Sequence, residues 1–177
     1  MVVAANPLAA KLGFDQLQRG GTAIDAVIAI QAGLTMVEPQ SSGLGGGAFI
    51  LYWDAKNKKL HTYDAREVAP QNATSELFIE DGKVLAWRDA IVGGKSVGVP
   101  GVLKGLNQAH LQHGKLAWNS LFDGAIELAK NGFAVSPRMA KLVGYKMHPG
   151  LLNIEPAKSY FYPKGEPLTT GTWIKNP

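Results

Sequence analysis

The longest apolar stretch of the chain runs from residue 23 to residue 37 with hardly a polar side chain in it. Thr22 and Asp25 have the spacing of a capping box, which predicts that a helix begins here, and Pro39 predicts its end. A helix that is apolar all round must be covered on every side. We therefore expect it to lie beneath a sheet, in a fold of helix layers against sheet layers.

A second apolar run at residues 48–53 lacks polar alternation, which is typical of a strand covered on both faces. A polar turn follows, and residues 60–66 then return as a second strand. These two segments predict a β-hairpin.

Arg66 lies where the second predicted strand ends, close to the loop that precedes the first strand. That loop contains three consecutive glycines, Gly45, Gly46 and Gly47. Glycine lets a ligand or another backbone approach closely, and a guanidinium presents a planar fork to a carboxylate. The pattern favours a carboxylate-binding corner. It is also compatible with a tight structural turn, and with an Arg66 that only pairs with Asp64 or Glu67.

Further helices are predicted by cap-then-proline signals and apolar spacing. Their starts are placed at four points: Asn6, Pro100, Asn119 or Ser120, and Ser136. Beyond Pro149, repeated Pro and Gly predict loops, with no closing element at Pro177. The predicted fold class is α/β of the α+β type, helix-rich with a hairpin-containing sheet, in one partial domain over residues 1–177.

Composition excludes several classes of protein. The 177 residues suffice for one domain with a core, and the net charge of +4 comes from scattered lysines and arginines, so we predict no nucleic-acid partner. The absence of cysteine excludes disulfides and thiolate chemistry. No apolar segment is long enough to span a bilayer, and the first residues lack the layout of a signal peptide.

Familiar motifs of site chemistry are incomplete. The glycine loop follows a helix and precedes a strand, the reverse of a dinucleotide-binding loop. The Gly-Lys pair at 94–95 lacks the earlier glycine of a phosphate loop and the helix after it. His110 and His113 have the spacing to share a metal, but without a third ligand we interpret them as a solvated helix end. We predict no metal and no cofactor.

Seven segments carry a more specific signal, because they occur together and in one order. They are GGTAIDA (20–26), VEPQSSGLGGGAF (37–49), DAREVAP (64–70), VGVPG (97–101), GKL (114–116), AKNGF (129–133) and GEPL (165–168). Together they resemble the γ-glutamyltransferase (glutathione hydrolase) family, specifically the N-terminal part of its large subunit. The resemblance spans nearly the whole chain.

The resemblance implies an N-terminal-nucleophile hydrolase with αββα layers, of which this chain would form part. Such a precursor cuts itself into two subunits, and the new N-terminal Thr of the small subunit attacks the γ-glutamyl amide. Arg66 would bind the substrate α-carboxylate, and Gly45, Gly46 and Gly47 would line the site. No catalytic residue is assigned here, because the family's Thr-Thr-His junction lies beyond this chain. We therefore expect the chain to be inactive alone.

The implied partners are γ-glutamyl substrates such as glutathione and the small subunit of the same precursor. An apolar surface left uncovered would also favour self-association of the chain. The parent protein would be periplasmic or extracellular, with its leader absent here. Two alternatives stay open: a fragment of a related cephalosporin or glutaryl acylase, and a non-catalytic binding or assembly module.

Overall fold

The computed structural model describes residues 1–176, in which helices and short antiparallel strand pairs occur together. The helices are α1 (Pro7–Gln18), α2 (Ala23–Val37), α3 (Trp87–Ala90), α4 (Val102–His113), α5 (Asp123–Asn131), α6 (Pro137–Gly144), α7 (Pro149–Asn153) and α8 (Ala157–Phe161). The strands are β1 (Ala48–Asp54), β2 (Lys59–Ala65), β3 (Ile79–Glu80), β4 (Lys83–Val84), β5 (Phe133–Ala134) and β6 (Trp173–Ile174). The predicted helix-rich α+β class is confirmed.

The first two helices begin at the caps that the sequence predicts. The Asn6 side chain accepts a hydrogen bond from the Leu8 amide at 3.0 Å. At α2, the Thr22 hydroxyl accepts from the Asp25 amide, and the Asp25 carboxylate accepts from the Thr22 amide at 2.7 Å. Both caps therefore satisfy amides that a helix start leaves without partners.

Helix α2 packs mainly among α1, α4 and α5, and it meets the predicted hairpin through a core that Ile24 and Ile28 share with Ile50. Ile24 and Ile28 are buried in a core shared with α4, while Val27 remains partly exposed. Helix α4 is the element that covers the hairpin. The apolar composition of α2 predicted burial correctly, but it did not specify which neighbours supply the cover.

Strands β1 and β2 form the predicted hairpin, paired from Ala48 opposite Ala65 to Asp54 opposite Lys59. Ile50 on the inner face is buried against α4. The outer face carries four apolar side chains that are each more than half exposed: Phe49, Leu51, Trp53 and Leu60. The expectation that β1 is covered on both faces is wrong for residues 1–176, because no second layer of this part of the chain lies on the outer face.

The segment after Pro149 is not the loop region that we predict from its prolines. Pro149 occupies the first turn of α7, where the missing amide costs nothing, and α8 follows. Strand β6 then pairs with β5, and a second core forms around Met139, Val143 and Tyr162. Pro177, where we predict no closing element, lies outside the described residues.

Two local details complete the helical layer. The helix expected from Asn119 or Ser120 begins as a 3-10 turn, Trp118–Leu121, before α5. Ser136 caps α6 as predicted, since its hydroxyl accepts from the Met139 amide. Across residues 1–176, no helix combines the length and apolar character needed to cross a membrane.

Candidate functional site

The glycine loop runs from the end of α2 into β1 and is fixed at its far end. The Gly46 carbonyl accepts from the amides of Gly101 and Val102 at 3.2 and 3.1 Å. A Cβ on Gly47 would lie 2.5 Å from Glu67 Oε2 and 2.8 Å from the Ala65 carbonyl oxygen, so a side chain does not fit there. Gly47 is thus explained by close approach of the chain to itself.

Gly45 differs from its neighbours, because a Cβ there would meet nothing within 4 Å among the described residues. Gly46 is intermediate, with Glu67 Oε1 at 3.5 Å from its Cβ position. The loop backbone is therefore open to a ligand at Gly45 and closed at Gly47. The loop therefore acts as a tight structural turn at Gly47 and leaves room for a ligand at Gly45.

Arg66 follows directly after β2, and its own amide donates to Asp64 Oδ1 at 3.1 Å. Its Nε lies 3.1 Å from Glu67 Oε2, and its Cζ lies 5.8 Å from the centre of the Phe49 ring. The Arg66 side chain is 60% exposed. Within residues 1–176, Nη1 and Nη2 take part in no ion pair, so the guanidinium keeps donors available for a ligand.

A cavity of about 320 Å³ lies beside Arg66. Its polar lining comes from the end of β2 and one face of α4: Asp64, Arg66, Lys104 and Gln108. Lys104 adds a second cation that the sequence analysis did not single out. The i, i+3, i+4 and i+7 spacing of residues 101, 104, 105 and 108 was the available signal, since it places them on one helix face.

The carboxylate of Glu67 connects the two predicted parts of the site. It pairs with Arg66 and also lies against Gly46 and Gly47. The structure therefore brings Arg66 and the glycine loop together, with an acid between them. The sequence offered Glu67 as a pairing partner of Arg66, and the observed 3.1 Å contact is that pair. Whether Arg66 also binds a substrate carboxylate stays a prediction.

His110 does not lie at a solvated helix end, which corrects that interpretation. Its Nε2 is 2.9 Å from the Leu116 carbonyl oxygen and 3.4 Å from Oδ1 of Asp25, which is fully buried. Asp25 in turn accepts from the amides of Lys115 and Leu116. His110 therefore belongs to a polar link that joins α4 to the start of α2.

His113 is likewise packed rather than solvated. Its ring centre lies 4.4 Å from that of Tyr52 and 4.5 Å from that of His61. Burial lowers the pKa of His113, the neighbouring His61 lowers it further, and Asp54 partly opposes them. In the described part of the chain, no three His, Cys, Asp or Glu side chains are arranged to hold a metal ion.

Glu38 forms the most extensive polar network of the region, at the start of the glycine loop. Its carboxylate is 2% exposed and accepts hydrogen bonds from four side chains: Asn6, Gln40, Ser136 and Arg138. Burial alone would raise the pKa of Glu38, but these four donors outweigh it and lower the pKa below its ordinary value of 4.5. The carboxylate is therefore ionised at neutral pH.

The sequence analysis assigned no role to Glu38. The signal was an acid placed directly after an apolar helix, at the end where the helix dipole disfavours it. An acid kept at such a position needs donors from elsewhere in the fold.

Residues 9–177 match the model of a protein family that is described as gamma-glutamyltranspeptidase. The chain is 41% identical over 172 residues to the glutathione hydrolase proenzyme of Bacillus subtilis (strain 168), covering 97% of this chain and 29% of that protein. It therefore spans less than a third of this relative's length.

Among solved structures, the Helicobacter pylori gamma-glutamyltranspeptidase superposes with a TM-score of 0.89 at 32% identity, over 99% of this chain and 50% of that one. A cephalosporin acylase from Bacillus halodurans superposes with a TM-score of 0.77 at 29% identity, over 96% of this chain and 32% of that one. The likeness to the first structure confirms the N-terminal-nucleophile hydrolase type of fold that we predict.

Proposed function

Since this chain belongs to the gamma-glutamyltranspeptidase family, we propose that it is an N-terminal part of the large subunit of such an enzyme. The complete enzyme would transfer or hydrolyse the γ-glutamyl group of glutathione and other γ-glutamyl amides. A Thr outside this chain would act as nucleophile and form an acyl-enzyme, after cleavage of a precursor into two subunits. The short span relative to the Bacillus subtilis proenzyme supports the assignment as a part.

In this proposal Arg66 binds the α-carboxylate of the γ-glutamyl donor. The observation that carries the assignment is its position: a guanidinium with Nη donors available, on a residue whose backbone closely approaches Gly47, and beside a cavity of about 320 Å³. Glu67 Oε2 lies 3.1 Å from Nε and places a negative charge on that side of the guanidinium. Two charge-assisted hydrogen bonds from a fixed fork then select a carboxylate over a neutral group.

The test is Arg66→Lys in the complete enzyme, because lysine keeps the charge and loses the fork. We expect KM for a γ-glutamyl anilide to rise about tenfold or more while kcat changes less, as charged hydrogen bonds are lost. Arg88→Lys, at an exposed position of α3, is the matched control and should leave KM unchanged. An unchanged KM in Arg66→Lys would instead favour the assembly module, with Arg66 serving only its pair with Glu67.

The acylase alternative is supported by the likeness to the Bacillus halodurans structure. The two functions differ in substrate, since an acylase of that kind would act on a different acyl group. Parallel assays of the complete enzyme with glutathione and with a glutaryl amide separate them. Hydrolysis of glutathione alone supports the γ-glutamyl assignment, and hydrolysis of the glutaryl amide alone overturns it.

The outer face of the hairpin, formed by Phe49, Leu51, Trp53 and Leu60, is the surface that we assign to the small subunit. Exposed apolar patches of this kind mark interaction surfaces. The isolated chain should therefore associate with itself in sedimentation velocity and release no anilide from a γ-glutamyl substrate. A clean monomer would contradict the assignment of this surface to the small subunit. Activity of the isolated chain would contradict the proposal that the nucleophilic Thr lies outside this chain.

The proposal also includes the location of the parent protein, which we expect to be exported to the periplasm or the extracellular space.

A further inference from the structure

Glu38 stands at a position that is unfavourable for an acid unless the surrounding fold compensates it. It caps the C-terminal end of α2, where the helix dipole is negative, and its carboxylate is buried. Compensation comes from outside α2. The α6 cap Ser136 donates to Oε1 at 3.0 Å, and the α1 cap Asn6 donates to the same oxygen at 3.0 Å. The N-terminal ends of two other helices thus converge on one carboxylate.

The same residue holds the first part of the glycine loop. The Glu38 carbonyl accepts from the amides of Ser41 and Ser42, each at 3.0 Å, while its Oε2 accepts from the Gln40 side chain. Arg138 donates to Glu38 Oε2 at 3.1 Å and to the Ser41 hydroxyl at 2.9 Å. Residues 40–42 are therefore each tied to Glu38, directly or through Arg138.

The loop is anchored at two places, and between them the Gly43 carbonyl accepts from the Gly46 amide at 3.4 Å. Residues 40–42 are held by Glu38, and Gly46 is held by the amides of Gly101 and Val102. The intervening arch, residues 43–45, has its Gly45 open on the side-chain side. Because the arch is only three residues long, its position depends on where the two anchors hold its ends.

We propose that Glu38 is a positioning residue, whose ionised carboxylate fixes residues 40–42 to α1 and α6 and thereby sets the position of the arch 43–45. This inference rests on the proposed function only for the role of the arch in the substrate site. Glu38 touches no substrate itself and acts through the loop.

The test is amide hydrogen exchange on the 177-residue chain at neutral pH, comparing the loop with α4 as an internal reference. Glu38→Gln keeps the shape and removes the charge, so exchange at the hydrogen-bonded loop amides of Ser41, Ser42 and Gly46 should become about tenfold faster. Exchange in the later part of α4, residues 106–113, should change by less than about twofold, since this part contacts neither the carboxylate nor the loop among the named partners. Glu127→Gln, an exposed change within α5, should alter neither segment.

Two results would overturn the inference: equal acceleration in the loop and α4, which indicates general destabilisation, or an unchanged loop. If Glu38→Gln does not fold, Arg138→Met serves instead, because Arg138 is half exposed and joins Glu38 to Ser41. As a further readout, loop exchange corrected for its intrinsic rate should accelerate as acid protonates Glu38, and Glu38→Gln should lack this step. All measurements are made without substrate, so an unchanged KM in Arg66→Lys would overturn the proposed function separately.

Discussion

Helix α2 carries a buried carboxylate at each end, and the two ends are built from different donors. Asp25 lies in the first turn, where the helix dipole favours an acid. It accepts mainly from backbone amides, those of Thr22, Lys115 and Leu116. Backbone donors at a favourable helix end make this a device for stability, which joins the turn before α2 to the turn after α4.

Glu38, at the opposite end, accepts from four side chains on three separate segments and lies where the dipole opposes it. Side-chain donors can be exchanged or moved without changing the backbone, and the loop that they hold leads to the candidate site. The comparison shows that similar burial of two acids serves two purposes. One end of α2 fixes the core, and the other end positions a loop.

The largest expected effect in this comparison is on the Asp25 end. Asp25→Ala leaves the part-buried amides of Thr22, Lys115 and Leu116 without their acceptor, and it removes the charge that His110 faces. Loss of the acceptor from such a cluster costs about 2–3 kcal/mol of unfolding free energy. Urea denaturation at pH 7 measures this change directly.

Asp15→Ala is the matched control, because Asp15 makes only an exposed ion pair with Lys11 one turn away. Such a pair contributes about 0.5 kcal/mol or less. If Asp25→Ala costs no more than Asp15→Ala, the Asp25 end is not the stability device that the comparison describes.

The sequence predicted local features of this comparison but not its long-range links. The capping box at Thr22 and Asp25 follows from a three-residue spacing, and the structure has it. The link from Asp25 to Lys115 joins residues 90 positions apart, and no periodicity encodes such a contact. Glu38 was missed for the same reason, since Ser136 and Arg138 are remote in sequence.

The hairpin also shows that the sequence predicts local structure but not the contacts between remote elements. A continuous apolar run, a polar turn and a returning segment predicted β1 and β2, and Arg66 lies at the end of β2 as expected. Which face of the hairpin is covered depends on α4, a separate element. Pro149 was read as a helix breaker, although proline also suits a first turn, so α7 was missed.

A smaller effect is expected on the Glu38 end when the pH falls. The pKa of Glu38 is lower in the folded chain than its ordinary value of 4.5, so folding favours the ionised form. Its contribution to stability is then complete above about pH 4.5 and is lost as the pH falls through the folded pKa. Urea denaturation across this range should show a steeper decline for the unsubstituted chain than for Glu38→Gln, which cannot titrate there.

His113 also makes the folding stability depend on pH, and its effect must be measured separately from that of Glu38. Its pKa is below the ordinary 6.5 in the folded chain, so folding favours the neutral ring, and stability declines as the pH falls from about 6.5 through the folded pKa. His113→Phe keeps an aromatic ring against Tyr52 and removes this earlier decline. In that background the remaining decline below about pH 4.5 should become less steep with Glu38→Gln, since other carboxylates with a lowered pKa, Asp54 and Glu155, still titrate. If the double variant declines as steeply as His113→Phe alone, the Glu38 carboxylate is not held ionised by its four donors, and the contrast between the two ends of α2 fails.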